Sequence, residues 1–187
     1  MQKTPTTLIL SLMLVSGVVG FGAGYSFTPE YRLSMYDVAG MDLGRADRWV
    51  DLRYVNAMIA HHRAAMQLAE QAVSSERPEV RELSQSILSE EPTAIAELYS
   101  YKEDWYGDAR TVRDPVAVRL GEYDETFDLR FLNALIAHHE EGLRMTTDIR
   151  AKTSRATVLD NANKVDAFLT STLVTLKSWR TTWYAVQ

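Results

Sequence analysis

The sequence predicts an all-α protein: a four-helix bundle built from two similar helical hairpins. Three observations carry this. The stretch "DLRYVNAMIAHH" (Asp51 to His62) recurs as "DLRFLNALIAHH" (Asp128 to His139), identical at nine of twelve positions and displaced by 77 residues. A looser match sets "LYSYKEDWY" (Leu98 to Tyr106) over "LKSWRTTWY" (Leu176 to Tyr184) at an offset of 78, so the repeated unit is a hairpin rather than a short motif. Finally, apolar residues recur at helical spacing throughout, and no run alternates in the manner of a strand. Two hairpins of this kind close into a four-helix bundle with a pseudo-two-fold axis.

The elements follow in order. "MQKTPTTLILSLMLVSGVVGFGAGYSF" runs without a charge from Leu8 to about Phe27. A membrane span needs roughly 20 such residues and a signal h-region about 7–15. Four glycines between Gly17 and Gly24 disfavour a soluble core helix. Residues 1–30 are therefore read as an uncleaved N-terminal membrane anchor in preference to a cleaved signal, for which Gly22 and Gly24 offer small residues. Lys3 keeps that end in the cytoplasm. The rest of the chain, residues 31–187, lies outside the cytoplasmic membrane, or in the periplasm or medium if the segment is cleaved.

The first repeat spans about 47–106 and the second about 124–184. In the first helix Leu52, Val55, Ile59, His62, Met66, Ala69 and Val73 form one apolar stripe; Leu129, Leu132, Ile136, His139, Leu143 and Thr146 form its counterpart. Asp47 and Asp124 are expected as N-caps. "SSERP" (Ser74 to Pro78) ends one helix and starts the next, in which Pro92 is expected to cause a kink or break. "GDARTVRDPVAVRLGEYD" (Gly107 to Asp124) links the hairpins, and two helices follow, to about Asp148 and from about Ala156 to Tyr184. Asn56 and Asn133 read as a hydrogen-bonding pair without chemistry.

At 187 residues and 46% apolar content the chain can bury an ordinary core. A net charge of −5 without a basic stripe sets nucleic acid aside. The chain has no cysteine, which excludes disulfides, thiolate metal sites and a cysteine nucleophile. Any metal must be held by His, Met, Asp, Glu or backbone oxygen.

All four histidines fall in the two repeated pairs, His61–His62 and His138–His139. Adjacent helical residues point about 100° apart, so one of each pair faces into the bundle and its neighbour toward another helix or the rim. His62 and His139 share the main stripes. His61 goes with Met58, Ala65 and Leu68, and His138 with Leu135, Gly142 and Met145. Histidines in such a setting are either core residues held by hydrogen bonds or metal ligands. Their recurrence in register, and Met58 and Met66 four residues either side of His62, favour ligands. Thioether and imidazole together suit Cu(I) and related soft ions; imidazole alone also suits Cu(II) or Zn(II). The candidate metal ligands are His61, His62, His138 and His139, with Met58, Met66 and Met145 as thioether partners. A shared site requires facing ring nitrogens from opposite repeats at well under roughly 10 Å, since two ligands on one ion sit only about 3–4 Å apart.

With these motifs the sequence resembles the domain-of-unknown-function 305 family. "MIAHH" (Met58 to His62) matches the M-[IV]-x-H-H hallmark, and Ala65 and Ala69 match its continuation, with Leu68 in a methionine slot. In the second copy Leu135 and Gly142 depart from the pattern and Met145 keeps it. On the following helix Ile87 and Ile95 match, while Glu91, Ala94, Leu98 and Tyr101 stand where the family carries Gln, Glu, Met and Trp. The resemblance implies exported or membrane-anchored bacterial proteins with a ferritin-like four-helix bundle, some of which bind copper or silver.

No enzyme signature is present. The position three before each histidine is Met58, Ile59, Leu135 or Ile136, so the Glu-x-x-His ligands of di-iron bundles are missing. Glu140 and Glu141 read as a solvated face. The expected function is metal binding without catalysis. The alternative is an interaction module whose histidines are packing, presenting Tyr99, Tyr101, Trp105, Tyr106, Trp179, Trp183 and Tyr184 to a protein partner.

Overall fold

The computed structural model describes residues 43–116 and 118–185. The N-terminal segment, with its anchor and cleavage readings, lies outside the described residues. Among the described residues no helix is long and apolar enough to cross a membrane.

Four helices make up the described chain: α1 (Val50–Ala72), α2 (Pro78–Tyr106), α3 (Phe127–Lys152) and α4 (Ala156–Tyr184). Helix α1 pairs with α2, α3 with α4, and the two hairpins meet along α1 and α3. The Ser75 hydroxyl, just past the end of α1, donates to Asp128 at the start of α3 over 2.6 Å. Arg155, at the start of α4, donates to Asp51 at the start of α1 over 2.9 Å. These contacts run α1 and α3 antiparallel.

The linker decides that direction. Arg63 donates to the Val112 carbonyl, and Gln67 donates to that of Pro115. Gln71 donates to the Val118 carbonyl and accepts from the Leu120 amide. Spaced four apart, these three side chains form one polar edge of α1, along which the linker climbs from the end of α2 to the far end of α1. Helix α3 then has to descend.

Each first helix of a hairpin begins in the same way. Gly44 and Gly121, 77 positions apart, hold φ of +62° and +82°, a region in which an L side chain would be strained. Arg53 wraps that loop through Nε to the Leu43 carbonyl, and Arg130 does so to the Leu120 carbonyl, both at 2.6 Å. Asp47 and Asp124 are not the N-caps that the sequence pointed to; Trp49 and Thr126 hold those positions. Each aspartate instead accepts the amide two residues on and its hairpin's arginine. Helix α2 runs unbroken through Pro92, and α3 continues four residues past Asp148 to Lys152. Proline sits at the first position of α2, where its missing N–H costs nothing.

The core is divided along the α1–α3 seam. One half gathers Tyr54, Val55, Met58, Met145 and Ile149 with Leu98 of α2 and Ala162 of α4. Toward the other end Leu68, Leu120, Phe131, Leu132 and Leu176 are equally buried. Burying each such side chain contributes about 1.5–3 kcal/mol.

The aromatic residues close the ends. The Arg77 guanidinium sits 4.4 Å over Trp183 and reaches Asp128; that of Arg155 sits 4.2 Å over Trp105 and reaches Asp51. The tyrosines and tryptophans of the interaction reading are half-buried in these cross-hairpin clamps and in stacks such as Trp179 on Trp183. Asn56 and Asn133 do not pair: Asn133 accepts from Arg180, and Asn56 Oδ1 is buried without a partner. Glu140 and Glu141 are partly covered rather than fully solvated, in ion pairs with Lys177 and Arg144.

Candidate metal centre

The histidines lie where the two core halves meet. His61 and His138, 77 positions apart in the sequence, stack face to face with ring centroids 3.8 Å apart and planes 8° from parallel. Opposite hairpins thus supply imidazoles well inside the separation that a shared site demands. The inward pair is His61–His138 rather than His62–His139. Helix α1 buries two adjacent stripes, and the one bearing His62 turns toward α2, while the one bearing Tyr54, Met58, His61, Ala65 and Leu68 meets α3. Leu52, His62 and Met66 are accordingly only half-buried.

Room for the stack comes from Gly142. A Cβ there would lie 2.8 Å from His61 Nε2 and 2.5 Å from a Leu169 methyl. His61 packs directly on the α3 backbone, with neither ring nitrogen hydrogen-bonded. His138 is equally buried.

The outer histidines differ. His62 Nδ1 meets the Glu91 carboxylate of α2, and its Nε2 is buried without a partner. His139 has no hydrogen bond at either nitrogen and lies 6.3 Å from the Phe168 ring of α4. Each rests at close to 6 Å from its neighbour in sequence, edge-on.

Burial sets the electrostatics. His61 and His138 are driven well below the usual imidazole range, chiefly by desolvation and further by the neighbouring histidines. His139 is pushed down to about 4, again by burial; the Leu135 carbonyl, outside hydrogen-bonding geometry, offsets a little of this. These three imidazoles are neutral at pH 7, the form that ligates metal.

Of the three methionines, Met58 and Met145 are buried together in the core half beside the stack. Met66 instead lines a groove of about 400 Å³ with Arg63, Gln67, Pro92 and Ile95, between α1 and α2. Among the described residues no three His, Asp or Glu side chains are placed to hold one ion. With parallel rings, the lone pairs of His61 and His138 lie in separate planes, so one ring has to turn before both can bind one ion. Sequence reasoning missed Glu91 as the outer partner of His62; on the second helices the 78-residue offset sets Leu169 opposite it, so the repeat gave no signal for it.

Residues 51–126 match the model of the family described as "Domain of unknown function (DUF305)", so the resemblance read from the paired-histidine motif is borne out. No curated protein matches the chain. Among solved structures, "CopM in the Cu(I)-bound form" is 24% identical with a TM-score of 0.64, over 73% of this chain and 99% of that one. "CopM in the Ag-bound form (by co-crystallization)" is 23% identical with a TM-score of 0.64, over 72% and 97%. The apo form of CopM matches equally well, at 24% and 0.64. The likeness shows the fold, an all-α four-helix bundle.

Proposed function

We propose that this protein is a non-catalytic, metal-binding helical bundle that takes a copper or silver ion between its two hairpins. The observation that carries this is the His61–His138 pair, in which His61, buried against its counterpart, has no hydrogen bond at either nitrogen. Leaving such a group unsatisfied costs about 1–3 kcal/mol, which an ion bound to the nitrogen offsets. The family match at residues 51–126 and the likeness to CopM, solved with Ag, Cu(I) and Cu(II), support the reading.

A soft d10 ion, which takes imidazole and thioether donors and is content with as few as two, fits best. Zinc, which asks for four ligands in a closed site, fits least. His61 and His138 are the central donors once one ring turns, and His62 and His139 flank them. Met58 and Met145 are the core thioethers, while Met66 serves at the groove. We read the two hairpins as copies of one unit. We place the bundle outside the cytoplasmic membrane, tethered by the apolar run near the N-terminus, or free if that run is cleaved.

The test is a competition titration of the full chain with Ag(I), and with Cu(I) under reducing conditions, against a chromophoric chelator. His61→Phe combined with His138→Phe keeps two stacked rings and removes every nitrogen. The wild type should compete and this variant should lose at least tenfold in affinity. Equal weak binding by both would remove the metal claim and leave the histidines as packing in an interaction module.

A further inference from the structure

We propose that Glu91 is a positioning residue that fixes His62 as the pre-oriented ligand of the metal centre, which makes the two hairpins unequal halves of the site. This rests on the metal-binding reading above. A neutral imidazole carries one N–H, and the group that accepts it decides which nitrogen keeps its lone pair. His62 Nδ1–H donates to the Glu91 carboxylate, so the lone pair is left on Nε2, which is buried and has no partner. A carboxylate behind a ligating histidine fixes tautomer and ring orientation and raises the basicity of the ligating nitrogen.

The second hairpin supplies an internal comparison. On the second helices the offset is 78, as for Leu98 and Leu176, so Leu169 is the counterpart of Glu91; its neighbour Phe168 is half-exposed and 6.3 Å from the ring of His139, the counterpart of His62. Both nitrogens of His139 are unpartnered. Two histidines at the same repeat position therefore sit in opposite settings, one held by a carboxylate and one beside a hydrocarbon ring. The ion engages His62 Nε2 through a ligand already set, whereas His139 has to be ordered as it binds.

The tautomer is read first, by long-range 1H–15N correlation on the metal-free full chain. Wild type and Glu91→Gln, whose amide oxygen still accepts, should both show His62 protonated at Nδ1. Glu91→Ala should release it toward the Nε2–H form, and Phe168→Ala should leave it unchanged. Silver affinity by competition should then fall about 10–100-fold in Glu91→Ala, by the measure of other outer partners of metal-ligating histidines. It should stay within about threefold of wild type in Glu91→Gln and Phe168→Ala. Protonation of His62 at Nε2 in the wild type, or unchanged silver affinity in a folded Glu91→Ala, overturns the proposal. A wild type that binds no silver yet shows the expected tautomers would instead sink the metal-binding reading, and this proposal with it.

Discussion

Gly142 stands 77 positions after Ala65, but an alanine does not fit in its place. In mid-helix a glycine is worse than alanine by roughly 0.5–1 kcal/mol, so Gly142→Ala would stabilise α3 on propensity alone. Packing opposes this, because the new methyl meets Leu169 at 2.5 Å and His61 at 2.8–2.9 Å. The leucine can give; the imidazole, stacked on His138, cannot move without opening the pair. Overpacking of this kind costs about 1–3 kcal/mol and wins. Gly142→Ala should lower the denaturant midpoint and shift the His61 and His138 ring resonances. A stabilised variant with unmoved resonances would mean that the stack tolerates more room than its contacts indicate.

The element that sets the topology is the linker, and its hold on α1 is polar. Gln71 is used at both ends of its amide, toward Val118 and Leu120. Truncation in Gln71→Ala leaves a carbonyl and an amide without their partner, costing about 1–3 kcal/mol where they stay buried. Leu120, almost fully buried, keeps the strand of linker in place. The variant should therefore remain folded, with hydrogen exchange accelerated at Leu120 and neighbouring linker amides while the middle of α1 is unaffected. Exchange unchanged at Leu120 would show that packing alone secures the crossover.

For the molecule as a whole, the central feature is a layer of neutral histidines between two apolar half-cores. His61, His138 and His139 all have folded-state pKa values below the ordinary 6.5 because burial penalises the cation. Below about pH 6.5 the unfolded chain takes up protons that the folded chain refuses. Stability is thus greatest above that pH and falls as the solution is acidified toward 4, by up to about 1.4 kcal/mol per pH unit for each histidine. The carboxyls of Asp47 and Asp124, lowered chiefly by hydrogen bonds from Arg53 and Arg130, titrate below this window. Urea midpoints of the metal-free protein should drop markedly between pH 7.5 and 5. The doubly phenylalanine-substituted variant at positions 61 and 138 should show a shallower fall, from the remaining histidines. A flat profile in the wild type would mean that the layer is hydrated and not buried.

Helix content and the paired histidines were readable from residue spacing, because each depends on periodicity within a few turns of chain. The doubled "AHH" at a 77-residue offset was enough to place the pairs on facing helices. Helix caps were misread at Asp47 and Asp124, since an aspartate beside a later arginine can hold a loop as readily as an N-terminus. Which histidine of each pair looks inward depended on which of two adjacent apolar stripes met the partner hairpin, and both stripes are apolar enough for either. Glu91, Phe168 and Gly142 gain their meaning only from neighbours on other helices. Local sequence determined the elements and the donors. The tertiary structure decided their pairing, because the Arg63–Gln67–Gln71 edge runs the linker along α1 and so turns α3 antiparallel, bringing His61 onto His138.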